Sequence, residues 1–295
     1  MTKTLRERYT RSHYSYSAIT SAEQCLHSWR RTYILGERVG NKYTSMGSVF
    51  HDVVEQQGRA LKFNAMDGYP IEKITEAYPD SHFFNKFNAQ YFNKEKVPHQ
   101  YFTDKDDYVA LYKKGVTALT NYLEYYRDKP PLYVELKFET HLAEDLPKVL
   151  GYIDRIDGEP DNPAEWIVTD YKSGSNPKSK DFLRKDTQLA TYALAIKKLY
   201  GEFPAQVRYY HPVPDKFQIA VHQGDGLYEY TNQRNPVVSF SAYDAVEKHR
   251  EVLELIVKAM ESNEFGKTVE YRACSFCFHK ERCKPFEKSE GWDAL

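Results

Sequence analysis

The sequence contains no long apolar run and no large excess of either charge. None of its apolar stretches reaches the roughly 18 residues of a membrane-spanning helix, and the first 20 residues lack the apolar centre of a signal peptide. The formal net charge is −1 over 295 residues, so any attraction to nucleic acid must come from local patches rather than from global charge. These absences favour a cytoplasmic protein that does not contact membranes.

Two well-known catalytic motifs and all obvious repeats are also missing. The P-loop pattern Gly-x4-Gly-Lys-(Ser/Thr) is absent, so any motor activity would need a partner protein. The absence of His-Glu-x-x-His excludes that class of zinc protease. No internal repeat, low-complexity tract or linker divides the chain. With 41% hydrophobic residues, the composition predicts one domain over residues 1–295 with a sizeable core.

Cysteine is scarce and unevenly placed. Cys274, Cys277 and Cys283 form a C-x2-C-x5-C cluster, and Cys25 lies far upstream. Disulfides are rare in the cytosol, so this clustering indicates metal or redox chemistry. Four thiolates suit either zinc or a 4Fe–4S cluster, although zinc sites usually pair two local knuckles rather than one distant cysteine with three close ones. Four reduced structural cysteines are the remaining alternative.

Hydrophobic spacing and turn residues predict an α/β fold. Helices are predicted over residues 15–36, 44–61, 107–127, 186–200 (which Asp186 can cap) and 241–262. Strands are predicted within residues 132–142, 148–157, 164–173, 206–213 and 216–223. The Gly/Pro-rich connector after residue 157 predicts that the second and third strands form a hairpin. Four regions follow: N-terminal helices over 1–61, a variable helical insertion over 62–129, a sheet region over 130–223, and a C-terminal helix with the cysteine cluster over 236–295.

Two of these strands end in charge, which is costly on a packed sheet. Strand alternation puts Asp170 and Lys172 on one face, and it puts Asp154 on a face with Tyr152 and Ile156. If the strands pair, Asp154 and Asp170 converge, and a divalent cation such as Mg²⁺ or Mn²⁺ would relieve their repulsion. A salt bridge between Lys172 and a carboxylate at the rim of the sheet is the alternative.

Asp157 and Glu165 are interpreted differently from Asp154 and Asp170. Asp157 lies on the opposite strand face from Asp154, and Glu165 belongs to the connector that follows it. Both are therefore interpreted as turn carboxylates that do not bind the metal.

The segments "GYIDRID", "IVTDYKSG" and "QLATYALAI", in this order, resemble the RecB-like branch of the PD-(D/E)XK nuclease superfamily. The resemblance rests on three pairs of residues: Gly151 with Asp154, Asp170 with Lys172, and Gln188 with Tyr192. His51, in "MGSVFHDVVE", matches the histidine of the branch's N-terminal helix, and Glu135 less surely matches its strand glutamate. The resemblance implies a central mixed sheet flanked by helices, with a helical insertion.

The resemblance also implies a role for each matching residue. His51, Asp154, Asp170 and the backbone carbonyl of Tyr171 would bind Mg²⁺ or Mn²⁺, and Lys172 would position or activate the attacking water. Gln188 and Tyr192, which share a helix face, would hold Lys172 and touch DNA. Read without the resemblance, His51 is a structural histidine, Glu135 a solvent-facing strand residue, and the Gln188–Tyr192 pair a helix surface with a core aromatic.

The cysteine spacing extends the resemblance to nearly the whole chain. The same one-plus-three arrangement occurs in AddB-type nucleases and resembles that of CRISPR-associated RecB-like exonucleases. There a 4Fe–4S cluster clamps the C-terminal segment onto the N-terminal helix. Cys25, Cys274, Cys277 and Cys283 are therefore expected to hold such a cluster as a structural staple, with zinc as the alternative.

The function implied by the resemblance is metal-dependent DNA exonuclease activity on single strands or DNA ends. The context would be recombination, repair, or phage or CRISPR DNA processing. A local basic cluster, either a DNA contact or a solvated loop, follows the site: Lys178, Lys180, Arg184 and Lys185. One alternative is an end-processing subunit that works with recombination, helicase or CRISPR-adaptation proteins. Another is a DNA-binding scaffold with little activity of its own.

Overall fold

The computed structural model describes residues 3–37, 42–67, 85–87, 105–231, 237–269, 274, 277–280 and 283. Its helices are α1 (Leu5–Arg8), α2 (Tyr16–Gln24), α3 (Leu26–Tyr33), α4 (Lys42–Asp67), α5 (Lys105–Tyr126), α6 (Lys180–Lys185), α7 (Gln188–Tyr200) and α8 (Asp244–Ser262). Its strands are β1 (His13–Tyr14), β2 (Tyr133–Thr140), β3 (Lys148–Asp157), β4 (Ile167–Tyr171), β5 (Gln206–His211), β6 (Lys216–Gly224), β7 (Leu227–Tyr230) and β8 (Ser239–Ser241).

The strands form one mixed sheet in the order β1-β3-β4-β5-β6-β7-β8, and β2 also pairs with β3. The β1–β3 and β4–β5 pairs are parallel, and the other pairs are antiparallel. The β3–β4 pair is the predicted hairpin. A mixed central sheet flanked by helices is therefore confirmed.

Helices cover both faces of the sheet. The larger core cluster packs α2, α7 and α8 against one face, and eight successive residues of α7, from Leu189 to Ile196, are buried there. Alanines are frequent in this run, and their small side chains let α7 pack closely against the elements around it. The second cluster packs α4 and α5 against Tyr171 and Tyr210 on the other face. The two faces are called the α7 face and the α4 face below.

Most predicted elements are confirmed within a few residues, and one prediction is wrong. The helix expected over 15–36 breaks at Cys25, whose extended backbone (φ −166°) ends α2 and begins α3. The short elements α1, β1, α6, β7 and β8 were not predicted from the sequence. Half of the segment expected to be a variable insertion lies outside the described residues, but α5 within it belongs to the second core cluster. In the described part, no helix combines the length and apolarity of a membrane span.

Candidate active site

Asp154 and Asp170 meet where β3 pairs with β4. Arg155 faces Thr169 in this antiparallel pair, so the two aspartates occupy adjacent positions at the end of the ladder. The Asp154 carboxylate also accepts a hydrogen bond from the backbone N–H of Tyr171 at 2.6 Å. The convergence expected from the sequence is therefore present.

Helix α7 supplies a polar network around Asp170. One carboxylate oxygen accepts hydrogen bonds from the Gln188 amide (2.8 Å) and the Tyr192 hydroxyl (3.2 Å). The other lies 2.6 Å from the Lys172 ammonium, which also donates to Gln188 Oε1 at 2.8 Å. Gln188 thus holds Lys172, as expected. Tyr192 instead contacts Asp170 and Gln188 and is only 6% exposed, so its side chain is part of the buried support.

A second group lies beside this network on the α4 face. One ligand atom each from His51 of α4, Glu135 of β2 and Asp154 of β3 lie within 4.8 Å of one another. The His51 Nδ1 to Asp154 Oδ1 distance is 3.7 Å. This three-residue group contains Glu135, and Asp170, also expected as a ligand, contacts Lys172, Gln188 and Tyr192 beside it.

Glu135 reaches the site through an unusual backbone. Its φ is +48°, although non-glycine residues rarely adopt positive φ in a strand. The β2–β3 ladder keeps its register on both sides but omits the Glu135–Asp154 pair. Alternation alone leaves Glu135 ambiguous, and no residue type in the sequence signals this distortion.

Strict alternation is also wrong for β3. Ile153 and Ile156 both lie in the core of the α7 face. Between them, Asp154 contacts His51 of α4, and the Arg155 guanidinium lies 4.2 Å from the ring centroid of Tyr126 of α5. Asp154 and Arg155 therefore both face the α4 side, next to the position on β2 where Glu135 distorts the strand.

The metal-ligand group is partly buried, and this burial shifts the pKa of each of its three members. Burial raises the pKa of Asp154 well above its usual range, and the nearby Asp170 charge raises it further. Burial, followed by the charge of Asp154, raises the pKa of Glu135 to about 7. Burial lowers the pKa of His51, although the Asp170 charge and a hydrogen bond to the Tyr171 backbone oppose this. Without additional positive charge nearby, simultaneous ionisation of Glu135 and Asp154 is therefore unfavourable.

This donor set fits a divalent cation. A neutral imidazole nitrogen and carboxylate oxygens are ligands that Mn²⁺ and Mg²⁺ accept, and the Tyr171 carbonyl lies beside His51. A small cleft is lined by His51, Glu135 and Asp154, and Glu55 adds a further carboxylate to its lining. A cation here would displace the protons that Glu135 and Asp154 otherwise retain because of their raised pKa values.

Asp157 and Asp186, which the sequence analysis places outside the metal site, form structural ion pairs and hydrogen bonds. Asp157 forms a salt bridge with the buried Arg155 at 2.6 Å, consistent with its exclusion from the site. Asp186 accepts hydrogen bonds from Tyr16, from Tyr209 and from the N–H of Gln188, and it pairs with Lys178. It therefore caps the start of α7, and Thr187 makes no side-chain cap there.

The basic cluster is only partly available to DNA. Lys178 has a side chain only 15% exposed, pairs with Asp186, and lies 3.9 Å from the Tyr209 ring centroid. Its expected role as a DNA contact is not supported by this position. Arg184 and Lys185 are exposed on α6, where Arg184 pairs with Asp181. Lys180 is half-buried.

Gly151 is explained by packing. A Cβ atom at this position would lie 2.3 Å from the ring of Phe138, its partner on β2. The Phe138 ring in turn meets Tyr192 edge-to-face at 5.9 Å. The glycine therefore allows the contact that supports Tyr192, and through it Asp170.

The four cysteines approach one another at α3. Burial raises the pKa of the Cys283 thiol, and the charges of Cys277, Cys25 and Cys274 raise it further. All four are free thiols. Among the described residues, no three cysteine sulfurs lie within 4.8 Å of one another, as the His51 group's ligand atoms do. The structure therefore brings the segments together, whereas a bound cluster or ion is not shown.

Further contacts join the C-terminal segment to α3. The ring of His279 hydrogen-bonds Thr32 at 2.9 Å, and the His27 N–H donates to the carbonyl of Gly266 at 3.1 Å. Cys277 lies 3.9 Å from Ser28.

Comparison with known proteins agrees with this geometry. The family model of the PD-(D/E)XK nuclease superfamily matches residues 13–284, which include every element of the site. A search of curated proteins gave no significant match. Members of this family use divalent metals to cleave nucleic acid. From its fold, its buried carboxylate–lysine site and a match over most of its length, the chain belongs to the PD-(D/E)XK nuclease superfamily.

Proposed function

We propose that this protein is a metal-dependent deoxyribonuclease of the RecB-like branch that acts as an exonuclease on single strands or DNA ends. The single observation that carries the proposal is the buried Asp170–Lys172–Gln188 network next to the His51–Glu135–Asp154 group. The exonuclease and DNA-end assignments rest on the sequence resemblance.

His51, Glu135 and Asp154 would hold Mg²⁺ or Mn²⁺, with Asp170 and the Tyr171 carbonyl completing the site. When bound, such a cation lowers the pKa of a coordinated water and stabilises charge developing on the phosphate. The carboxylates would orient it, and they line a small cleft that also includes His51 and Glu55.

Lys172 would act as a charged positioning group. Burial lowers its pKa, but Asp170 outweighs burial, so the pKa of Lys172 is raised overall and the ammonium persists at neutral pH. A permanent ammonium donates hydrogen bonds to a water or a phosphate oxygen and does not accept a proton. Asp170 and Gln188 fix its direction.

An end-labelling assay tests both activity and mode. Single- and double-stranded DNA, labelled at either end, would be incubated with the protein in Mg²⁺ or Mn²⁺. We expect stepwise shortening from one end, and we expect Lys172→Ala to reduce it at least about 100-fold, the usual cost of losing one electrostatic group. Lys216→Ala, an exposed lysine on β6, is the matched control and should retain activity. Internal cuts in circular single strands would replace the exonuclease assignment by an endonuclease.

A partner-dependent role is the second candidate. In that case the protein would trim DNA ends within a recombination, helicase or CRISPR-adaptation assembly, and it would act slowly alone. A DNA-binding scaffold with little activity is disfavoured by the intact network of Asp170, Lys172 and Gln188. Activity that appears only after a partner is added would support the assembly role.

We further infer that Cys25, Cys274, Cys277 and Cys283 hold a 4Fe–4S cluster. The support is the proximity of Cys283 to the other three thiols and the contact of Cys277 with Ser28 of α3. Protein purified without oxygen should be brown and should contain iron and sulfide in equal amounts. A colourless protein with one zinc per chain would contradict the cluster and establish the zinc alternative.

A further inference from the structure

Tyr152 is an exposed aromatic residue beside the metal-ligand group. It lies in the middle of β3, yet it is 49% exposed, whereas the following Ile153 is fully buried. Its side chain makes no hydrogen bond or aromatic contact with any described residue. A single exposed aromatic is common on protein surfaces, so only its position beside the metal-ligand group distinguishes Tyr152.

The position of Tyr152 follows from the strand register. Ile153 belongs to the core of the α7 face, so Tyr152 points to the α4 face, where Asp154 contacts His51. Tyr152 and Asp154 therefore share a face and are about 6.6 Å apart along the strand. The ring stands one step from the metal-ligand group.

A basic residue accompanies Tyr152. Lys137 of β2 pairs directly with it and is exposed, and directly opposite side chains lie about 5 Å apart at their Cβ atoms. Glu135 and Asp154 occupy the next positions along the same face, where the ladder is interrupted. An exposed ring and an ammonium thus follow the carboxylates along a single surface.

We propose that Tyr152 and Lys137 form a platform for the nucleotide next to the scissile phosphate, with the base stacked on Tyr152 and a phosphate near Lys137. The proposal rests on the proposed nuclease function of the neighbouring site. Stacking on a side chain requires a base whose face is free, as in a single strand or at a frayed end. The platform therefore selects single-stranded DNA at this nucleotide.

DNA binding, measured without cleavage, tests the platform. Fluorescence anisotropy with a labelled single-stranded 20-mer would use the cleavage-deficient Lys172→Ala protein as the parent. Loss of one base–aromatic stack is expected to weaken binding about tenfold in Tyr152→Ala, whereas Tyr152→Phe keeps the ring and should bind like the parent. Tyr243→Ala, at an equally exposed tyrosine (50%) preceding α8, is the control and should have no effect.

Abasic substitutions identify the contact itself. One abasic position in the 20-mer should weaken parent binding, and the same position should cost nothing further in Tyr152→Ala. Lys137→Gln should lower the slope of log affinity against log salt by about 0.7, the value for one phosphate contact to a single strand. Lys216→Gln should leave the slope unchanged.

The outcomes separate this proposal from the proposed function. Unchanged affinity in Tyr152→Ala, or an abasic penalty that persists in it, overturns the platform even if the wild-type protein cleaves DNA. A tenfold loss with Tyr152→Ala, together with no cleavage by the wild-type protein in Mg²⁺ or Mn²⁺, supports the platform and rejects the nuclease assignment for this chain.

Discussion

At the scale of single residues, the site depends on groups held in states they would avoid in water. Glu135 has a positive φ and a pKa raised to about 7, and Asp154 is buried next to Asp170. Strand alternation predicts that Asp154, Asp170 and Lys172 converge, and the family resemblance adds Gln188. Neither establishes Glu135, because a local backbone distortion has no residue signature.

Glu135 predicts an unusual pH dependence of stability. Its pKa is raised on folding, so the metal-free folded state binds more protons than the unfolded state between the ordinary glutamate pKa of about 4.3 and about 7. This group's contribution to the free energy of unfolding is therefore present at low pH and falls as pH rises through that window. Thermal unfolding in chelator should show that Glu135→Gln removes part of this decline.

Divalent metal should counteract the same decline. A cation requires the ionised carboxylate, so its affinity should rise as pH increases towards and through about 7. Calorimetric titration of Mn²⁺ at several pH values would measure this. Equal Mn²⁺ affinity in wild-type and Glu135→Gln protein would remove Glu135 from the ligand set.

At the scale of secondary-structure elements, the helices were predicted from periodicity, but their junctions were not. The break at Cys25 lies within what the sequence pattern predicts as one continuous helix, at a point that contacts the C-terminal segment. Lys178, expected to be available to DNA, instead forms an ion pair with Asp186. Both outcomes depend on segments distant in sequence. Local propensity cannot supply them.

Gly151 connects β3 to the position of α7. Gly151→Ala would drive a Cβ atom into the Phe138 ring, and such overpacking costs about 1–3 kcal/mol. We expect a lower melting temperature together with reduced DNA cleavage, because Phe138 supports Tyr192. Gly174→Ala, where no atom lies within 4 Å of the added Cβ, is the matched control. Adding Phe138→Leu should restore part of the stability.

The Asp186–Lys178 pair predicts a non-additive double variant. Asp186→Asn leaves the ammonium of Lys178 buried without its carboxylate, which should reduce the free energy of unfolding by about 3–5 kcal/mol. Replacing Lys178 by Met in the same protein should recover part of that loss. Denaturant unfolding of the two single variants and the double variant provides the test, and strict additivity would argue against coupling.

At the scale of the whole molecule, α3 contacts Gly266, Cys277 and His279, which are distant from it in sequence. The mixed sheet could be predicted from the alternating strand patterns and from the family resemblance, because both reflect which residues form the core. The meeting of Cys25 with the C-terminal cysteines was expected only through the resemblance, because contacts across such a sequence separation leave no local pattern.

Cys25 predicts a global effect on stability. If the four thiols hold a cluster, closing this long loop removes on the order of 5 kcal/mol of unfolded-chain entropy, by analogy with disulfides. Cys25→Ser should then lower the melting temperature of the sheet and helices as one transition. A wild-type melting temperature that remains unchanged on loss of bound iron or zinc would contradict the staple.

The central claim is that the buried carboxylates and Lys172 form one metal-dependent cleavage site, and one paired measurement addresses it. Mn²⁺ binding and cleavage of end-labelled single-stranded DNA would be measured on the same preparations of wild-type, Lys172→Ala and Asp154→Asn protein. The account predicts that Lys172→Ala binds Mn²⁺ but does not cleave, and that Asp154→Asn does neither. Wild-type rates of cleavage in either folded variant would contradict it.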